Sequence, residues 1–158
     1  MRLPERVGPK PRTTPWAPHL QKDQNAPKAM LDALAERVFA LPDVEERPTM
    51  FSADGARAIW LKDELPAGPP DAFLGAREIG HFHPWDGSMH VALPPAVAEQ
   101  AVAKGWAEIH PVALAGLTSR NKVMVYGPRD HREIDIIFTL LEAAYRYARS
   151  HADPSIHP

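Results

Sequence analysis

At 158 residues, 44% of them hydrophobic, the chain is long enough for one globular domain with a real core and short for two. A formal net charge of −2 leaves out the basic footprint of a general nucleic-acid binder, and the absence of cysteine removes disulfides, thiolate nucleophiles, iron–sulfur ligation and cysteine-held zinc together. No run approaches the roughly 18 apolar residues of a membrane span, and the Pro-rich, basic start has no apolar signal core, so the expectation is a soluble cytoplasmic protein with neither a membrane nor a nucleic-acid partner.

Residues 1–24 carry Pro4, Pro9, Pro11, Pro15 and Pro18 with more basic than acidic side chains, which favours extended backbone over helix. This segment is either a mobile tail or an arm laid over the domain, the latter suggested by Trp16, His19 and Leu20. The domain proper is read over 25–150, with 151–158 as a fraying tail. Asn25 stands as N-cap of a first helix whose apolar residues Met30, Leu34, Val38 and Leu41 share one face until Pro42. Glu45–Ser52 and Arg57–Lys62 read as a hairpin about the turn Ala53-Asp54-Gly55, with Pro48 pushing the first strand to an edge. Leu65–Asp71, with three prolines and a glycine, is loop.

The stretch Arg77–Leu93 organises the rest. It places three histidines around Asp86-Gly87, a strong hairpin signal because both central residues of a type I′ turn need positive φ. If those two residues alone form the loop, His83 faces His90; if Pro84–Gly87 form a four-residue loop, His81 faces His90. Either even-length loop puts His81, His83 and His90 on one side and Phe82, Met89, Val91 and Leu93 on the other, which is the core side. Pro94-Pro95 then starts a second helix running to about Lys104, with Gly105 at its C-terminal turn. Trp106–His110 is extended, 113–121 is loop, and Lys122–Tyr126 is a short strand. Gly127-Pro128-Arg129 turns into a last helix with an aspartate capping box, Asp130 and Glu133, and a broad stripe of Ile134, Ile137, Phe138, Leu141, Ala144, Tyr145 and Ala148. Hairpins with few helical crossovers give an α+β, two-layer fold: a mainly antiparallel sheet with helices packed on one face.

Imidazoles converging from adjacent strands, with His110 ending a neighbouring extended run as a fourth, suit two chemistries. One is a metal-free acid–base pocket with no cofactor; the alternative is zinc or iron held by His81, His83 and His90. No carboxylate completes such a ligand set in the sequence, because Glu78 has the wrong strand parity and Asp86 belongs to the turn. Trp85 and Trp106 either wall an aromatic pocket or serve as packing, and Arg129 can meet an anion at the last helix. There is no Gly-x-Ser-x-Gly elbow, Walker loop or dinucleotide fingerprint.

With these residues in view, the C-terminal half resembles the luciferase domain of fungal bioluminescence and its bacterial relatives. The resemblance rests on Arg77-Glu78-Ile79-Gly80-His81-Phe82-His83, Ser88-Met89-His90-Val91-Ala92-Leu93, Lys104-Gly105-Trp106, His110-Pro111 and Tyr126-Gly127-Pro128-Arg129, with a weaker echo from Arg12 through His19-Leu20-Gln21. It implies a cofactor-independent, oxygenase-type reaction on a small enolisable aromatic or hydroxypyrone-like substrate and O2, through a cyclic peroxide that loses carbon dioxide. His81, His83 and His90 are then the catalytic candidates, one of them the base, while His110, Trp106, Arg129, Trp85 and His19 are the substrate-binding candidates. The sequence lacks the apolar N-terminal anchor segment expected of the fungal enzymes, and its hairpin tip reads Pro84-Trp85-Asp86-Gly87, so substrate and mouth are open to change. A non-catalytic small-ligand or metal-binding domain with the same histidine-lined pocket is the competing reading, and oligomeric state is left open.

Overall fold

A computed structural model describes residues 1–150. The expected fraying tail lies outside the described residues. Six strands form one antiparallel sheet: β1 Val44–Pro48, β2 Arg57–Leu61, β3 Glu78–Phe82, β4 Met89–Ala92, β5 Ala107–Ile109 and β6 Lys122–Val125, in the spatial order β1-β2-β3-β4-β6-β5. Helices α1 Lys28–Phe39, α2 Pro95–Ala103 and α4 His131–Arg149 join it, with a four-residue α3 Pro111–Leu114. The fold is α+β. Its core gathers Leu34 and Val38 of α1, Ile137, Leu140 and Leu141 of α4, and Phe82, Met89, Val91, Leu93, Val123 and Val125 from the sheet. Each such buried apolar side chain contributes about 1.5–3 kcal/mol relative to exposure.

Local chemistry accounts for most boundaries. Pro48 lies in β1, which is an edge strand, where a missing N–H is tolerated. Asp130 caps α4 by accepting from the Glu133 N–H at 2.9 Å. Glu133 does not return to the cap residue; its carboxylate accepts instead from the N–H and guanidinium of Arg129, one residue earlier. Gly105 takes the positive φ, 83°, that ends α2.

Four expectations need correction. Helix α1 begins at Lys28 with Pro27, not Asn25, at the N-cap, since proline suits a helix start and needs no donor. The first strand stops at Pro48 rather than Ser52. Pro70–Ala72 forms a single 3₁₀ turn at the end of the Pro-rich loop, and Pro111–Leu114 forms a helix turn that runs into the loop expected from residue 113. That turn is capped by the His110 ring, whose Nδ1 accepts from the Val112 N–H at 3.0 Å, a role that sequence alone does not advertise.

Residues 1–26 run across the sheet and its ends. Leu3 is buried, the Leu3 N–H donates to Gln100 Oε1 and the Arg6 N–H to the Lys104 carbonyl. Residues 12–22 fold back on themselves through Lys22 N to Arg12 O and Thr14 N to Leu20 O, and a bridge pairs Thr13 with Gln21. Gln21 then fastens this small hairpin. Its N–H donates to Asp86 Oδ2 at 2.9 Å, and its Oε1 accepts from the Gly127 N–H at 3.1 Å.

Candidate functional site: a buried imidazole cluster

The hairpin β3–β4 closes through the four-residue loop Pro84–Gly87, with the His83 N–H donating to the Ser88 carbonyl and the Gly87 N–H to the His83 carbonyl. His81 therefore faces His90 and Phe82 faces Met89. Only Gly87 of the Asp-Gly pair takes positive φ, so the turn is not type I′. Across the sheet, one row on the face away from the core reads Ala58, His81, His90, Met124 and Glu108.

Five imidazoles meet over that row. His81 Nε2 lies 3.2 Å from His90 Nδ1, and His90 Nε2 lies 3.0 Å from Nδ1 of His19, delivered by the N-terminal hairpin. His83 and His110 complete the group, with ring centroids 4.6 Å and 4.5 Å from that of His90. His19, His81, His83 and His90 are buried and His110 is half-buried. Burial, reinforced by the neighbouring rings, holds His83 down to about 3, His90 well below the usual imidazole range and His110 down to about 4. These three rings are neutral at pH 7 and are acceptors as much as donors.

Carboxylates stand behind the rings. Asp86 Oδ1 accepts from the Ser88 hydroxyl at 2.7 Å, so that hydroxyl accepts from His83 Nδ1 at 2.9 Å, which fixes the His83 proton on Nδ1 and leaves Nε2 with its lone pair. Glu108 Oε2 lies 3.3 Å from His19 Nε2 and accepts from the Thr13 hydroxyl at 3.0 Å. Burial pushes the Glu108 carboxyl up, but the contacts with His19 and Thr13 outweigh it and hold it below its ordinary value. Glu78 is the surprise. A register shift between Ile59 and Trp60 breaks the strand alternation that assigned Glu78 to the other face, and its Oε1 sits 3.5 Å from His81 Nδ1. Neither carboxylate oxygen of Glu78 has a hydrogen-bond partner among the described residues, and the side chain is fully buried.

Two adjoining cavities open against the rings. One of about 260 Å³ is lined by His81, His90 and His110 with Phe51, Leu74 and Lys122; the other, about 450 Å³, is lined by His19, His83, His90 and His110 with Phe51 and Trp85. Trp85 stacks on His83 with centroids 5.0 Å apart. Of the substrate-binding candidates, His110, His19 and Trp85 thus line a cavity. Trp106 does not; it is buried under the arm, donating its indole N–H to the Pro4 carbonyl at 2.8 Å. Arg129 is also elsewhere, tied to Glu133 and to the Val7 carbonyl. Ser88 is fully buried behind His83, where it orients a ring and has no access to a substrate. Ring nitrogens of His81, His83 and His90 lie within 4.8 Å of one another, as do those of His19, His90 and His110, so either triad has the spacing to close on a metal ion.

The four histidines of β3, its hairpin loop, β4 and the end of β5 all fall in one sequence block. Residues 76–144 match the luciferase-domain family. The matched block omits the arm, but the longer comparisons include it. The chain is 29% identical to a luciferase of Armillaria ostoyae over 162 residues, 30% identical to that of Armillaria gallica over 163, and 27% identical to that of Neonothopanus nambi over 161. These alignments cover 92% of the chain and 60% of each fungal protein, so the chain spans about three-fifths of their length. The resemblance read from the histidine motifs is borne out, on fungal relatives. No solved structure matches the chain. Among the described residues, no helix is long and apolar enough to cross a membrane.

Proposed function

We propose that this luciferase-domain protein is an oxygen-dependent enzyme acting on a small enolisable aromatic or hydroxypyrone-like compound, with O2 as co-substrate and no cofactor required for proton removal. The observation that carries the reading is His90, which lies at the boundary of both cavities and in the middle of a row Glu78, His81, His90, His19, Glu108. His90 takes the substrate proton by giving up one of its two ring contacts. Because burial makes its ring a poor place to keep a proton, the proton passes on through His19 to Glu108, whose side chain is 28% exposed at the rim. His110, with its proton held on Nε2 by the Val112 contact, donates to an enolate oxygen, and Trp85 and Phe51 supply apolar walls that keep water from the anion.

Oxygen uptake with a panel of hydroxypyrones and related enols, together with carbon dioxide release, tests the reading. The wild-type protein is expected to consume O2, and His90→Gln to lose about 10²–10⁴-fold in rate while keeping its circular dichroism. No uptake across the panel by folded protein would return the site to a non-catalytic, ligand-binding role.

A further inference from the structure

We propose that His81, His83 and His90 bind one divalent first-row transition-metal ion, zinc being the type case, with Glu78 as its outer charge partner. This goes beyond the reaction proposed above and does not depend on it. Two independent observations meet here. The first is convergence: His81 Nε2 and His90 Nδ1 stand 3.2 Å apart, close to the roughly 3.3 Å edge of a tetrahedron whose metal–nitrogen bonds are about 2.0–2.1 Å. With His83 included, all three nitrogens lie within 4.8 Å of one another, so shifts of about an ångström in the rings complete the triad.

The second is the fully buried Glu78 carboxylate, which has no hydrogen-bond partner among the described residues. An ionised carboxylate buried without a cation or donor is costly. Metal-bound histidine ordinarily turns its other N–H onto a carboxylate, and Glu78 stands 3.5 Å from the outward Nδ1 of His81, which also lies 3.4 Å from the Thr49 hydroxyl. His83 has the equivalent support on its outward nitrogen from Ser88 and Asp86. A dication at the inward nitrogens would stand one ring away from that carboxylate.

The same reasoning separates this triad from the other one with suitable spacing, His19, His90 and His110. The Val112 N–H donates to His110 Nδ1, which places the ring proton on Nε2, the nitrogen an ion would need. Three imidazole ligands leave a further position open, and His81 and His90 border the smaller cavity, so an oxygen anion of a bound molecule is the natural fourth ligand. With Nδ1 of His90 on the ion, its Nε2–H still donates toward His19 Nδ1.

The test is metal content of protein purified without a histidine tag, followed by chelation and titration with Zn²⁺. Expected are about one equivalent of bound metal, or uptake of one equivalent of Zn²⁺ by chelated protein with a rise in Tm. His81→Gln and His83→Gln lose that uptake, His110→Gln keeps it, and Glu78→Gln weakens Zn²⁺ binding about 10–100-fold. Folded wild-type protein that carries less than about a tenth of an equivalent and shows no Tm response to Zn²⁺ overturns the proposal, as does uptake lost in His110→Gln but kept in folded His83→Gln. Because binding is read directly, a failed oxygen-uptake assay leaves this result intact, and the converse holds.

Discussion

Gly127 has no room for a side chain. A Cβ there would stand 2.7 Å from the Gly87 carbonyl oxygen and 2.9 Å from Ala26 Cβ, while its φ lies outside the left-handed region, so close approach alone requires glycine. The two glycines are where the arm, the hairpin loop and the end of β6 touch, and Gly127 N–H is one of the fasteners of Gln21. Gly127→Ala is expected to lose about 1–3 kcal/mol, read as a lowered urea midpoint with unchanged slope. At this scale the sequence was informative about identity and poor about partners. His81, His83, His90 and His110 stood out by spacing, but Glu78 and Glu108 did not, because a bulge and a long-range strand pairing decide which face a carboxylate takes. Tyr126-Gly127-Pro128-Arg129 was legible as a motif; that its arginine would anchor Glu133 and the arm, away from the cavities, was not.

Among the elements, the N-terminal hairpin is held on by few bonds that each matter. Gln21 joins it both to the β3–β4 loop and to the turn before α4, and His19 rides between those fasteners and the cluster. Gln21→Ala leaves the Gly127 N–H without its partner, which costs about 1–3 kcal/mol locally. Amide hydrogen exchange of residues 12–22 is then expected to quicken, with the central strands β3, β4 and β6 unchanged; equal protection in both proteins would mean that packing alone holds the arm. Helices with a sharp stripe, α4 above all, were readable because periodicity records burial. The α3 turn was not, since four residues carry no period and the cap is an imidazole. Proline composition likewise could not choose between a tail and an arm. That choice rests on which backbone groups find partners across the fold.

For the molecule as a whole, packing neutral imidazoles together makes stability depend on pH. His83 and His90 have folded values depressed below the ordinary 6.5, surrounded by His19, His81, His110, Glu78 and Glu108. A group depressed in this way contributes stability that is present above its unfolded value and lost as pH falls toward the folded one, because the unfolded chain takes up the proton first. Between pH 6.5 and about 3, the folded value of His83, stability is therefore expected to fall, by about 2 kcal/mol at pH 5 for each such ring. Tm measured across that window should drop more steeply for the wild type than for His83→Gln.

From sequence alone come the α+β fold class, the two sides of the histidine hairpin, the main helices and the luciferase resemblance, because each is written in local periodicity, turn chemistry or ordered motifs. Tertiary structure alone decided that His81 faces His90, that an arm more than sixty residues away in sequence delivers His19 to the same cluster, and that Glu78 is buried beside it without a hydrogen-bond partner among the described residues. Loop length, strand register and long-range packing set those outcomes. They depend on the free energy of the whole arrangement and leave no mark at any single position.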